Sequence, residues 1–216
     1  MTTSPNIAVC ELPLFPLPEV VLFPNRSLPL HIFEFRYRIM MNTILSGDRR
    51  FGVLMVDPVQ GTLAQVGCCA KITDCQRLQD GRMRMVTMGQ QRFRLLEYMR
   101  EKPYRVGLVE WIEDIPSKED LHPMTTEVGQ LLRDVMRLSG KLTGQKIELP
   151  EDIPNLPVEL SYWIASNLYG VATEQQALLE MQDVGMRLQR ESEILTSTRN
   201  HLAARTVLKD TFDNNF

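Results

Sequence analysis

A histidine and a carboxylate three residues apart are raw material for general acid–base chemistry. His31 and Glu34, with Arg36 and Arg38 close behind, form such a set at the start of an expected helix, where the helix dipole favours a carboxylate. No nucleophile, metal-ligand set or phosphate-binding loop stands beside them, so the set reads as an ion-pair cluster that fixes the helix, and no catalytic residue is assigned. A second group is basic. Arg82 and Arg84 share one face of an expected strand, and Arg92 and Arg94 one face of the next. If those strands pair with the arginines on one side, like charges crowd together unless acids or an anionic ligand intervene. An RNA-contacting patch is therefore the alternative reading, opposed by nearby Asp80 and Glu97 and by the lack of interleaved aromatics for base stacking. The third group is apolar. Phe15, Phe23 and Phe33 lie in the same half of the chain as Met40, Met41, Met55, Met83, Met85, Met88 and Met99. Methionine adapts its shape, so most of these serve as core filler, and any exposed beside the phenylalanines would make an adaptable apolar groove.

Cys10, Cys68, Cys69 and Cys75 lack paired C-x-x-C spacing, and His31, His122 and His201 are too scattered to complete a metal site. The thiols are expected to be reduced and packed, as in a cytoplasmic protein, with no cofactor. The formal charge of the 216-residue chain is −3. Residues 1–117 carry 14 Lys and Arg against 12 Asp and Glu, and residues 118–216 carry 10 against 15. Neither half is basic enough for a nucleic-acid footprint. The first 25 residues hold no Lys or Arg, and Pro13, Pro16, Pro18 and Pro24 break the early apolar run, which excludes an ordinary signal peptide. No apolar stretch approaches membrane-spanning length, so no membrane association is expected.

Two kinds of scaffold must position these groups. From Glu11 to Asp114, short apolar runs divided by Pro, Gly and charge predict strands at Leu12 to Leu17, Val20 to Phe23, Phe51 to Val56, Gly67 to Leu78, Arg82 to Met88, Arg92 to Met99 and Tyr104 to Trp111. Asp80-Gly81 predicts a type I′ hairpin. One helix interrupts them at about Phe33 to Leu45, where Phe33, Tyr37, Met40, Met41 and Ile44 recur at helical spacing. After Pro116 the period is helical. One helix begins behind Pro123 with Thr125 or Thr126 as N-cap, a second runs from near Pro157 to Gly170, and a third opens with a capping box at Thr173-x-x-Gln176. A last helix over Val184 to Leu208 spaces Leu188, Leu195 and Leu202 by sevens, but Glu191, Ser192, Thr198 and Arg199 fall where a zipper wants apolar residues. It is expected to pack on its own domain.

The stretch Leu12-Pro13-Leu14-Phe15-Pro16-Leu17, Val21-Leu22-Phe23-Pro24, Leu28-Pro29-Leu30-His31-Ile32-Phe33-Glu34 and Arg36-Tyr37-Arg38 resembles the opening of the amino-terminal domain of Lon-type ATP-dependent proteases. Asp48-Arg49-Arg50-Phe51-Gly52-Val53, Val66-Gly67-Cys68, Asp80-Gly81-Arg82, Gly89, Arg92-Phe93 and Pro103-Tyr104 continue the likeness in order, and Gln176, Leu178, Leu179 and Glu180 extend it thinly. The resemblance implies an α+β fold: a PUA-like, partly open β-barrel with one inserted helix over 1–117, then a helical bundle over 118–216. It also implies substrate or partner recognition: binding of apolar or extended segments of an unfolded peptide, or of a partner protein such as a protease or a chaperone. The chain shows no G-x-x-x-x-G-K-[ST] loop and is too short to add a serine–lysine protease domain, so a non-catalytic binding module is expected. The candidate binding residues are Phe15, Phe23, His31, Phe33, Arg82, Arg84, Arg92 and Arg94.

Overall fold

Proline decides how the first strand can pair. A computed structural model describes residues 9–144, 153–168 and 170–213, so the outer ends of both expected domains lie outside the described residues. Strand β1 (Val9–Pro18) pairs antiparallel with β6 (Val106–Ile112) over its first half, then parallel with β3 (Arg50–Val56) over its second. The remaining strands are β2 (Ser27–Ile32), β4 (Val66–Arg77) and β5 (Met83–Arg100), with helix α1 (Phe35–Leu45) between β2 and β3. The order is β2-β5-β4-β3-β1-β6, and β6 also pairs back to the far half of β5. This curls the mixed sheet into the partly open barrel that the resemblance implied, with β2 flanking the near half of β5.

The barrel half has two cores. Phe93 is fully buried, and β-carbons placed on Gly52 or Gly67 would run into its ring. Leu12, Leu14, Leu54 and Val109 complete this inner layer. The second core forms where Tyr37, Met40, Met41 and Ile44 of α1 pack on Phe15, Phe51, Ile72 and Met85. Helical spacing thus becomes burial: the predicted stripe is the buried face of α1, except that Phe33 precedes the helix and is exposed.

Several local expectations are corrected. Residues 20–23 form no strand, although Leu22 and Phe23 are buried. The strands expected on either side of Gly89 are one strand, β5, because Gly89 is needed for contact and not for a turn: a β-carbon there would collide with the Phe23 carbonyl oxygen. Asp80-Gly81 does close the β4–β5 hairpin, but only Gly81 takes a left-handed φ, of 79°. Gly81 N–H donates to Leu78 O and Leu78 N–H to Arg82 O, a three-residue loop in place of the type I′ turn.

Among the described residues four helices follow: α2 (His122–Thr143), α3 (Pro157–Ser166), α4 (Ala172–Glu180) and α5 (Val184–Asp213). By contact the chain forms two units, Met1–Glu113 with Leu168–Glu180, and Asp114–Asn167 with Met181–Phe216. Helix α4 therefore belongs to the sheet-containing unit. Val128, Leu131, Leu160, Trp163, Leu188 and Leu195 form the core of the other, so α5 packs on its own unit. Thr125 and Thr126 lie inside α2, donating to Leu121 O and His122 O, and are not caps. Thr173 likewise lies within α4, and α3 ends at Ser166.

Candidate functional site

Part of the sheet is left without a neighbouring strand. Strand β5 carries β2 beside Met83–Met88 and β6 beside Arg92–Arg100. Strand β1 carries β6 only as far as Pro13. Below β6, then, residues 14–18 of β1 and all of β2 each have an edge with no strand partner among the described residues. A groove of about 880 Å³ opens there, lined by Phe15–Pro18, Pro29–His31, Phe33, Tyr37 and the β5–β6 loop around Tyr104. A smaller groove on the far side of β2 shares Pro29, Leu30 and His31 and adds Arg84 and Val86.

Aromatic rings build the floor. Phe15 meets Tyr37 edge-on at 4.5 Å and Phe51 at 5.9 Å between ring centres. All three rings are buried, so the floor is rigid. Burial first of all raises the Tyr37 hydroxyl pKa, and the Arg36 guanidinium, 4.6 Å from the ring centre, works against it. Phe33 stands on the rim, 62% exposed, with His31 at 6.1 Å. Phe35 is also exposed, at 73%. Phe33 and Phe35 together present apolar surface where β2 runs into α1. The polar rim holds the Glu34–Arg36 ion pair at 2.9 Å, with Lys102 and Arg105 across the mouth. Of the expected His31, Glu34, Arg36 and Arg38 cluster, only the exposed Glu34–Arg36 pair forms; the His31 ring faces Phe33 and the Arg38 guanidinium lies beside Gly81.

The candidate residues scatter. Phe15, His31 and Phe33 meet at the groove. Phe23 is fully buried under Gly89 and reaches no surface. Arg82 pairs with Asp80 at 2.6 Å, and Arg94 with Glu110 at 3.5 Å. Arg92 is 2% exposed and donates from Nη1 to Leu179 O at 2.7 Å. Arg84, Arg92 and Arg94 lie on the one strand β5 and Arg82 just before it; Arg84 neighbours His31 and Gln76, and Arg92 neighbours Cys68 and Ile112. The two-strand arginine face therefore does not form. Nor do methionines line the larger groove: Met40, Met41, Met55, Met83 and Met85 are core. Tyr37, Tyr104 and Leu30 also line the groove, and only the last two carry a local sequence signal, the adjoining Pro103 and Pro29.

Two buried polar clusters hold the scaffold. In the sheet unit, Gln176 donates to Val66 O at 3.0 Å and to Glu180 Oε1 at 2.8 Å, and with Arg92 it fastens α4. The capping-box glutamine is spent on the sheet. In the helical unit, Arg187 donates to Asp114 Oδ1 at 3.0 Å, to Met181 O at 2.8 Å and to Ser161 Oγ. The Ser161 hydroxyl in turn donates to Glu191 Oε1 at 3.1 Å. Burial drives the Glu191 pKa well above the usual carboxylate range, against the opposing pull of Arg187 one turn away. Ser161 is fully buried with its hydroxyl held between Arg187 and Glu191, and the cluster is structural. The thiols are equally quiet. Cys68 and Cys69 are buried, and desolvation pushes Cys69 up to about 12. Among the described residues no group of three or more His, Cys, Asp or Glu is placed to hold a metal, and no helix is long and apolar enough to cross a membrane.

Comparison with known proteins converges on one family. The family model of the ATP-dependent protease La (LON) substrate-binding domain matches residues 11–197. Lon protease of Dictyoglomus thermophilum is 29% identical over 196 residues, covering 86% of this chain and 24% of its own. Lon protease 2 of Myxococcus xanthus is 29% identical over 199 residues, covering 88% and 24%. The chain thus spans about a quarter of the length of these relatives. The crystal structure of a Lon N-terminal domain protein from Xanthomonas campestris superposes with a TM-score of 0.62 at 26% identity, over 84% of this chain and 96% of that one. The N-terminal domain of Mycobacterium avium complex Lon protease superposes equally well, at 0.62, with 17% identity, over 88% and 98%. Sequence and fold agree, and this chain belongs to the LON substrate-binding domain family.

Proposed function

We propose that this chain is a non-catalytic, cytoplasmic recognition module, which holds apolar segments of unfolded polypeptides or of a partner protein, such as a protease or chaperone, in the groove between β1 and β2. Membership of a substrate-binding family supplies the class of task. The observation that carries the site is the pairing of a rigid aromatic floor with an exposed phenylalanine at its rim: Phe15, Tyr37 and Tyr104 are buried, and Phe33 is not. Fixed aromatic surface gives large contact area at little cost in side-chain entropy, which is how binding hot spots are built. No cofactor enters the reading. RNA binding is disfavoured by the ion pairs of Arg82 and Arg94 and the burial of Arg92.

Affinity for a reduced, carboxymethylated protein probe, compared between the natural chain and Phe33→Ser, tests the site. Phe33 is a surface residue, so the fold is expected to change by no more than about 0.5 kcal/mol, while affinity falls at least about tenfold. Unchanged affinity would remove the groove from the account. Salt adds a second axis: groove binding should persist between about 50 and 200 mM salt, where arginine-carried RNA binding would collapse.

A further inference from the structure

The two lips of the groove share an unusual backbone chemistry. In β1, Leu14 N–H donates to Arg105 O on the β6 side, and Glu19 N–H points back to Val56 of β3. The β1–β3 register between them is unbroken. Backbone groups alternate along a strand, so positions 16 and 18 direct theirs away from β3, toward the groove. Both are proline. In β2, Arg26 O accepts from Gly89 N–H, and Leu28 O accepts from the Thr87 hydroxyl, both on the β5 side. The register is again continuous, so position 29 faces away from β5. It too is proline. Pro16, Pro18 and Pro29 therefore remove three donors from the lips and leave their carbonyls as acceptors only.

An extended polypeptide added beside either lip would find no partner for the carbonyls it turned toward these prolines, and unmatched carbonyls weaken strand addition. A helix has its backbone bonds satisfied internally and needs only side-chain space. The lip charges favour a particular flank. Glu34 is engaged with Arg36, and Lys102 and Arg105 stand opposite with Glu101. The balance of the mouth is positive, which suits acidic residues beside an apolar anchor.

Resting on the recognition reading above, we infer that Pro16, Pro18 and Pro29 set the binding mode: the groove excludes an added strand and takes the apolar face of a helical segment flanked by acidic side chains. The partner inserts aliphatic or aromatic side chains over Phe15, Tyr37 and Tyr104 and keeps its own backbone bonds.

Two display libraries with the same randomised residue set test this, one on the face of a helical hairpin and one on an exposed edge strand. Each is selected on the full chain and counter-selected on Phe33→Ser. Groove-dependent clones should come from the helical library at least about tenfold more often, enriched in Asp and Glu beside Leu, Phe or Trp. Their recovery chiefly from the strand library would overturn the helical mode and leave groove recognition standing. Recovery from neither would sink both. Pro29→Ala, which restores one lip donor at an exposed position, should raise the share of strand-library clones; no change in that share would count against the proline mechanism.

Discussion

Arg92 and Arg187 are the largest fully buried side chains, and each is placed by what its guanidinium can reach. Arg187 gathers Asp114, Met181 and Ser161, joining segments from three parts of its unit. Replacing it with leucine removes the buried guanidinium that donates to Asp114, Met181 and Ser161, and the chemical-denaturation midpoint should fall by the equivalent of about 3–5 kcal/mol. Glu191 works in the opposite sense. Its folded pKa lies above the unfolded value, so both states are neutral at low pH and only the unfolded state ionises as pH rises past about 4.5. The folded state then loses up to about 1.4 kcal/mol per pH unit until the folded pKa is reached. Glu191→Gln should flatten this component, so that variant and natural chain diverge in stability as pH rises from 4 to 7 in a urea titration series. Parallel curves would show Glu191 ionised in the fold. None of this was legible in the sequence: Glu191 counted there only as a polar interruption of a heptad, and the pairing of Arg187 with Asp114 spans 73 positions.

Elements were legible where one periodicity controls burial. Helix α1 declared itself through Tyr37, Met40, Met41 and Ile44 because a single face packs on the sheet. Strand β5 was misread as two because glycine and glutamine at 89–91 look like a turn, whereas Gly89 is there to let Phe23 approach. The same reasoning yields a prediction: Gly89→Ala should destabilise the sheet unit by about 1–3 kcal/mol through overpacking, read from thermal unfolding. Helix α4 was seen as a helix but not as a companion of the sheet, since Gln176 to Val66 and Arg92 to Leu179 are long-range bonds with no local trace. Arg92→Met should loosen that fastening, and amide exchange should quicken over 172–180 while the β1–β3 ladder stays protected. Equal protection of α4 in both proteins would mean that Leu178 and Leu179 hold it unaided.

At the scale of the whole molecule, the proline-punctuated opening carries both the family likeness and the site. Pro13, Pro16, Pro18 and Pro29 are what the sequence shows most plainly, yet their purpose depends on which strand edge each faces, and that is fixed only by the pairing of β1 with β3 and β2 with β5. Hence Phe15, His31 and Phe33 come together at one groove, while the arginines do not: spacing reveals a shared strand face but not the acids that Asp80 brings to Arg82 and Glu110 to Arg94. The central claim is that polypeptide is held at the groove rim. Site-specific photocrosslinking tests it most directly, with benzoylphenylalanine in place of Phe33 and, as control, in place of exposed Arg137 on α2. A reduced, carboxymethylated protein probe should be captured at position 33 at least about tenfold more than at 137, with yield insensitive to nuclease and to moderate salt. Equal capture at both positions, or capture of nucleic acid alone from a mixture, would contradict the account.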